Sequence, residues 1–284
     1  MEKQLTLIID KLINEIGQVQ VLGDDKKVIT DVTADSRVVE NGSLFICLKG
    51  ATVDGHKFLK MAVEKGAVAA LVEDVPEEIP AGVTLLVVPD TRKAMEAVVP
   101  FFFDYPGKNM RMLGITGTNG KTTTTNIIRT VLRKAGYKVG LIGTINIMIE
   151  DEAVEAHNTT PDVVDLQKAL FAMKNAGCDY VVMEVSSHAL VLNRVAGCEY
   201  DCAVLSNITQ DHLDFHKTLE NYRDAKSLLF EGLANGAKEN KNAVFNMDDA
   251  SSEIIKARTK VNCLAYGKEH TNDIYPISFN VQAK

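Results

Sequence analysis

At 284 residues the chain has room for roughly two domains, each able to close its own core. Apolar residues make up 46% and charged ones 24%, the balance of an ordinary globular protein. A net charge of −7 without a run of Lys or Arg excludes a general nucleic-acid binder, and no apolar stretch approaches membrane-spanning length.

Residues 5–16 carry the apolar spacing of an amphipathic helix. Residues 28–32 read as a strand leading into Ala34-Asp35-Ser36-Arg37, and 43–48 as a second strand. A polar, glycine-bearing loop over 49–56 precedes a helix over about 57–65, closed by Gly66. Strands over 68–72 and 84–88 follow, then a helix from Thr91 towards Phe103. This alternation predicts a small α/β domain with a mostly parallel sheet over 1–107. The turn chemistry of Tyr105-Pro106-Gly107-Lys108-Asn109 marks the boundary to a second domain over 108–284.

The second domain opens on its most informative stretch. Met112, Leu113 and Ile115 read as a buried strand that breaks into Gly117-Thr118-Asn119-Gly120, then Lys121-Thr122, then a helical pattern to Ala135 with Gly136 just beyond. Strand, glycine turn, lysine–hydroxyl pair and helix N-terminus together form an anion cradle. The strict phosphate-loop pattern wants glycine where Ile115 stands, so the match is to a shorter GxxGKT form. Thr116 to Thr123 are the residues expected to hold nucleotide phosphates, with Lys121 neutralising charge and Thr122 reaching Mg²⁺.

Alternation continues through a strand over 138–143, the loop Asn158-Thr159-Thr160-Pro161-Asp162 and a helix over 163–176. Buried strands over 180–185 and 202–205, a helix over 219–233, a strand over 243–246, a helix over 251–258 and a strand over 263–266 complete the pattern. Residues 274–281 alternate like a strand and stop, which predicts an ending inside a domain. The expected fold class is α/β: a small N-terminal α/β domain, then a phosphate-loop-type, mostly parallel ATP-binding domain incomplete at its C-terminus.

Three further constellations carry chemistry. Glu184 ends a core strand, where open α/β sheets bind ligands, and a carboxylate beside a phosphate loop suits Mg²⁺. His212 and His216 stand four apart; His212 could serve a second Mg²⁺, zinc is the weaker reading, and a hydrogen-bonding loop histidine is the plain alternative. Lys226 borders the apolar face of Tyr222, Ala225, Leu229 and Leu233, and spacing alone predicts that its amine snorkels to water. Ser187 and His188 make no hydrolase pair, because no GxSxG elbow surrounds them and adjacent side chains rarely face each other. The five cysteines (Cys47, Cys178, Cys198, Cys202, Cys263) are odd in number, lack CxxC spacing and read as reduced thiols of a cytoplasmic protein.

The segments GTNGKT (117–122), NTTPD (158–162), MEVSSHAL (183–190), SNITQDHLDFH (206–216) and YRDAKSLLF (222–230), in that order, resemble the Mur ligases. These are ATP-dependent amide-bond-forming enzymes of peptidoglycan synthesis. The Asp35-Ser36-Arg37 and 49–58 segments are similar to the UDP-binding region of members that add the third amino acid to UDP-N-acetylmuramoyl-L-alanyl-D-glutamate. The resemblance implies an acyl-phosphate route, with ATP and Mg²⁺ as cofactors; the sequence does not encode an oligomeric state, and a monomer is the default expectation. It implies Thr122 and Glu184 on one Mg²⁺, His212 on a second, and a carbamylated, metal-helping Lys226, so that Lys121, His212 and Lys226 form the catalytic group. A partly desolvated amine of lowered pKa would favour that modification. Asn158, Thr159, Thr160, Ser186 and Arg194 match contacts to the UDP-muramoyl peptide, and Ser36 a contact to its uridine; Leu192 stands where some relatives carry glutamine, so no contact is assigned there. Diaminopimelate is the expected third amino acid, with lysine as the other option. The family also has a C-terminal domain that supplies the amino-acid pocket, so this stretch alone is expected to be weak or inactive. A catalytically silent binding module is one alternative. A folylpolyglutamate synthetase is the other, disfavoured by the Asp35-Ser36-Arg37 and 54–58 segments.

Overall fold

The structure, a computed structural model, describes residues 1–50, 53–156 and 158–278. It divides into two compact units: Met1–Pro106 with Val163–Lys168, and Gly107–Asp162 with Ala169–Lys284.

The first unit is built on a five-stranded sheet in the order Gln20–Leu22, Thr84–Val87, Ala67–Val72, Ser43–Ile46, Asp31–Thr33. All neighbours are parallel except the first pair. The two central strands are almost wholly buried, which is why they read as continuous apolar runs rather than alternating ones. Helix Leu5–Ile16 buries Leu5, Ile8, Ile9 and Leu12, the stripe its spacing foretells. Helix Thr91–Phe102 starts at Asp90, whose carboxylate accepts from the amides of Arg92 and Lys93. Two expectations need correction. The single strand over 28–32 is two short ones: Val28–Ile29 pairs antiparallel with Lys3–Gln4, and Asp31–Thr33 runs parallel to Ser43–Ile46. Thr30 causes the break, its amide and hydroxyl turning away to the carbonyls of Gly42 and Asn41. The helix over 57–65 begins as a 3₁₀ turn, Gly55–Phe58, capped by Asp54, before Leu59–Glu64 becomes α-helical.

The second unit carries an eight-stranded sheet in the order Glu152–Glu155, Asn146–Ile149, Val139–Ile142, Tyr180–Glu184, Arg111–Thr116, Cys202–Leu205, Asn242–Asn246, Asn262–Tyr266. The last six are parallel; the first two form an antiparallel hairpin that sequence patterning does not reveal. Arg111–Thr116 comes first in the chain yet lies inside the sheet, with later strands on both sides. Strand order therefore reverses beside it, which opens a crevice at the C-terminal ends. Ile115, Val139, Leu141 and Val182 form the core under that crevice.

All five cysteines are free, Cys47 and Cys178 buried and the others partly so. Among the described residues no helix is long and apolar enough to cross a membrane. The expected strand over 274–281 lies partly outside the described residues; within them, Ile274 makes only an isolated bridge to Tyr266.

Candidate functional site

The phosphate loop forms because two glycines accept backbone that other residues resist. Gly117 has φ +146° and Gly120, at the N-cap of helix Lys121–Lys134, has φ +85°. A side chain at Gly117 would overlap the Ser206 hydroxyl. The loop is braced from the neighbouring strand end. The Thr118 amide donates to the Asn207 carbonyl at 2.8 Å and the Asn119 amide to Asn207 Oδ1 at 3.0 Å, while Ser206 Oγ donates to the Asn119 carbonyl at 2.7 Å. The first-turn amides of Lys121, Thr122 and Thr123 have no helical partner, and no side chain caps that end, so it presents donors and a positive dipole. Lys121 Nζ folds back onto the carbonyls of Gly117 and Thr118, at 2.7 and 2.9 Å.

Glu184 ends its strand one register step from the loop, opposite Ile115, and is 1% exposed. Thr122 Oγ1 donates to its Oε2 at 3.0 Å, so the two expected Mg²⁺ ligands meet. Their oxygens suit a hard cation that keeps waters and substrate phosphates in its shell. Among the described residues there is no group of three or more His, Cys, Asp or Glu that could hold a metal ion. On the far side the Thr144 amide and hydroxyl both bond the carboxylate, each at 3.1 Å.

Lys226 overturns the spacing-based expectation. Its amine does not reach water: the residue is 1% exposed on helix Leu219–Asn235. Nζ donates to the Gly117 carbonyl at 2.9 Å, the oxygen Lys121 also uses, and sits 4.4 Å from the centroid of the Tyr222 ring. Burial first, then the neighbouring Lys121 charge, brings the amine down to about 7. Tyr222 in turn has its hydroxyl 3.2 Å from Thr118 Oγ1, joining the lysine helix to the phosphate loop.

His212 caps the single-turn helix Leu213–His216 with φ +51° and a half-exposed ring. It stands edge-on to His188 with centroids 4.9 Å apart and lies 6.2 Å from the Tyr222 ring. His216 is buried and bonds Ser187 Oγ at 2.9 Å, so His212 and His216 do not share one open helix face, and Ser187 pairs with His216 rather than His188.

In the 158–160 loop, Thr159 Oγ1 lies 3.1 Å from Thr144 Oγ1. Thr160 is buried, its hydroxyl donating to the Glu184 carbonyl at 2.9 Å and accepting from the Ser186 amide at 3.0 Å. Arg194 Nη1 approaches the Thr160 carbonyl at 3.4 Å and its buried Nε has no partner among the described residues. Ser186 caps the short helix Ser187–Val191 by accepting from the Ala189 amide. Asn158 is exposed. In the first unit Ser36 is 7% exposed, between Asp35 and Arg37, whose side chains pair with each other at 2.7 Å.

Residues 115–284 match the model described as the Mur ligase middle domain, and residues 28–102 the one described as the Mur ligase family, catalytic domain. The chain belongs to the Mur ligases. It is similar to a UDP-N-acetylmuramoyl-L-alanyl-D-glutamate--2,6-diaminopimelate ligase from Bacillus cereus, with 46% identity over 93% of this chain and 53% of that protein. A solved structure of a ligase of the same name superposes with a TM-score of 0.77 at 29% identity, over 97% of this chain and 54% of the other. The MurF ligase of Thermotoga maritima, solved in complex with ADP, gives a TM-score of 0.58 at 25% identity, over 84% of this chain and 50% of that one. The chain spans about half the length of the curated relatives it matches.

Within this Mur ligase site, sequence reasoning missed Thr144, Asn207 and Tyr222. Gly143-Thr144 follows a predicted strand, and that position at a strand's C-terminal end was the available signal. Asn207 and Tyr222 stood inside motifs already noted for other residues.

Proposed function

We propose that this chain carries the nucleotide and UDP-sugar sites of an ATP-dependent amide ligase, which adds diaminopimelate to UDP-N-acetylmuramoyl-L-alanyl-D-glutamate for peptidoglycan. The carrying observation is Lys226, an amine at about 7 buried against the phosphate loop. A generic phosphate-binding switch has no use for that costly placement. The names of the relatives at 46% identity support diaminopimelate over lysine.

In this reading the amides of the loop and first helical turn orient the ATP phosphates, and Lys121 leaves its two loop carbonyls to neutralise them. Thr122 and Glu184 hold Mg²⁺, which screens phosphate charge during transfer. The neutral Lys226 amine adds CO₂, forming an N–C bond and losing one proton, and so becomes an anionic carbamate. His212 stands ready for a second cation. Residues 108–284 hold ATP; Asn158, Thr159, Thr160, Ser186 and Arg194 contact the muramoyl peptide. Residues 1–107 hold the UDP part, with Ser36 at the uridine. A reaction consuming ATP and a UDP-sugar belongs in the cytoplasm. Equilibrium binding to this polypeptide tests the reading: UDP-N-acetylmuramoyl-L-alanyl-D-glutamate and Mg·ATP are both expected to bind, without competition from folate. A UDP-dipeptide that does not bind would overturn it.

A further inference from the structure

The Glu184 carboxylate is held from two directions, and only one of them belongs to the nucleotide loop. Thr122 Oγ1 reaches Oε2 from the phosphate helix. From the other side Thr144 supplies two donors, its amide to Oε1 and its hydroxyl to Oε2, both at 3.1 Å. Two donors from one residue, one to each oxygen, fix the plane of the carboxylate as well as its position. A Cβ on Gly143 would lie 2.5 Å from Glu184 Oε1, so a side chain there would push the carboxylate out of this position. Thr144 itself is exposed, so the arrangement is not a by-product of core packing.

Proton accounting extends the contact. The Thr144 hydroxyl is the donor in two contacts, and its one proton is shared between Glu184 Oε2 and Thr159 Oγ1, each at 3.1 Å. The Thr159 hydroxyl accepts in the latter pair. Thr144 thus links the Thr159 hydroxyl and the carboxylate in one hydrogen-bonded network.

We propose that Thr144 is a positioning residue that locks the Glu184 carboxylate for the metal and ties it to the Thr159 hydroxyl. This rests on the reading of Glu184 and Thr122 as the Mg²⁺ pair. Because coupling between two binding events is reciprocal, metal and UDP-dipeptide each strengthen the other's binding through this network. Residues that orient metal ligands in this way typically change metal affinity 10–100-fold when removed.

The test uses Mn²⁺, detected as the free ion by electron paramagnetic resonance, with a non-hydrolysable ATP analogue. In Thr144→Val the Mn²⁺ Kd is expected to rise about tenfold. Nucleotide binding without metal should stay unchanged, and Thr144→Ser should restore the wild-type value. UDP-dipeptide affinity, measured by calorimetry, should respond to Mn²⁺ in the wild type and lose that response in Thr144→Val. Equal Mn²⁺ affinity in Thr144→Val and wild type would overturn the positioning role while leaving the metal site intact. A wild-type protein that binds no Mn²⁺ with nucleotide would instead remove the metal site, and the proposal with it. Should Thr144→Val not fold, Thr144→Ala carries the same comparison.

Discussion

The two ends of the eight-stranded sheet hold similar residue types in opposite states. At the N-terminal end a cavity of about 520 Å³ is lined in part by Arg111, Asp179, Tyr180, Asp201 and Lys238. The polar groups of these five residues are already matched. Lys238 bonds Asp201 at 2.7 Å and the Met110 carbonyl at 2.6 Å, Asp179 accepts from the Lys138 amide at 2.9 Å, and Arg111 meets the Tyr180 hydroxyl at 3.3 Å. At the C-terminal end two lysine amines crowd one carbonyl. There Gly117 is in the left-handed region, and the buried Thr116 hydroxyl has no partner among the described residues. A cavity by itself points to the N-terminal end. Unfinished hydrogen bonding and a displaced pKa point to the C-terminal one.

Substitutions at each end can break that contrast. The largest expected effect is that of Gly117→Ala, where an unfavourable φ coincides with overlap on Ser206. It should cost about 2–3 kcal/mol of stability in urea unfolding and abolish ATP binding by calorimetry. Lys226→Met should do the reverse to stability. Replacing a buried amine by an apolar side chain is expected to stabilise by roughly 1–3 kcal/mol, read from urea midpoints. The same lysine sets a pH signature. Its folded value near 7 lies below the ordinary 10.5, so between those limits the unfolded state binds more protons. Wild-type stability should therefore rise with pH across that window, by up to about 1.4 kcal/mol per pH unit. Below pH 7 both states are protonated and this contribution is flat. Urea midpoints from pH 6 to 10 check it, and a wild type whose slope matches that of Lys226→Met would refute it. Asn207→Ala, which loses its side-chain bonds to the Asn119 amide and carbonyl, should weaken ATP binding about tenfold. Smallest is Lys238→Met at the opposite end: about 1 kcal/mol of stability and no change in ATP affinity. A matching loss of affinity there would erase the distinction between the ends.

Legibility in the sequence follows the range of the interaction. The strand, glycine turn and helix at 111–134 are local, and every local preference agrees, so they can be read directly. The antiparallel hairpin at 146–155 escapes because its outer strand is wholly exposed and carries no apolar alternation. Lys226 escapes for another reason. Helical spacing places it on a border, and only the strand end and loop packed against that border bury it. Thr144 and Asn207 act on groups 40 and 88 residues away, a pairing no periodicity encodes.

The strand order carries a consequence for biosynthesis. The nucleotide turn leaves the ribosome early, but the segment that steadies it, at 206–209, is made some 90 residues later. A nascent chain halted before that point holds the GxxGKT motif without its buttress. Competence to take up ATP therefore arrives late, as a property of a nearly finished sheet rather than of the motif.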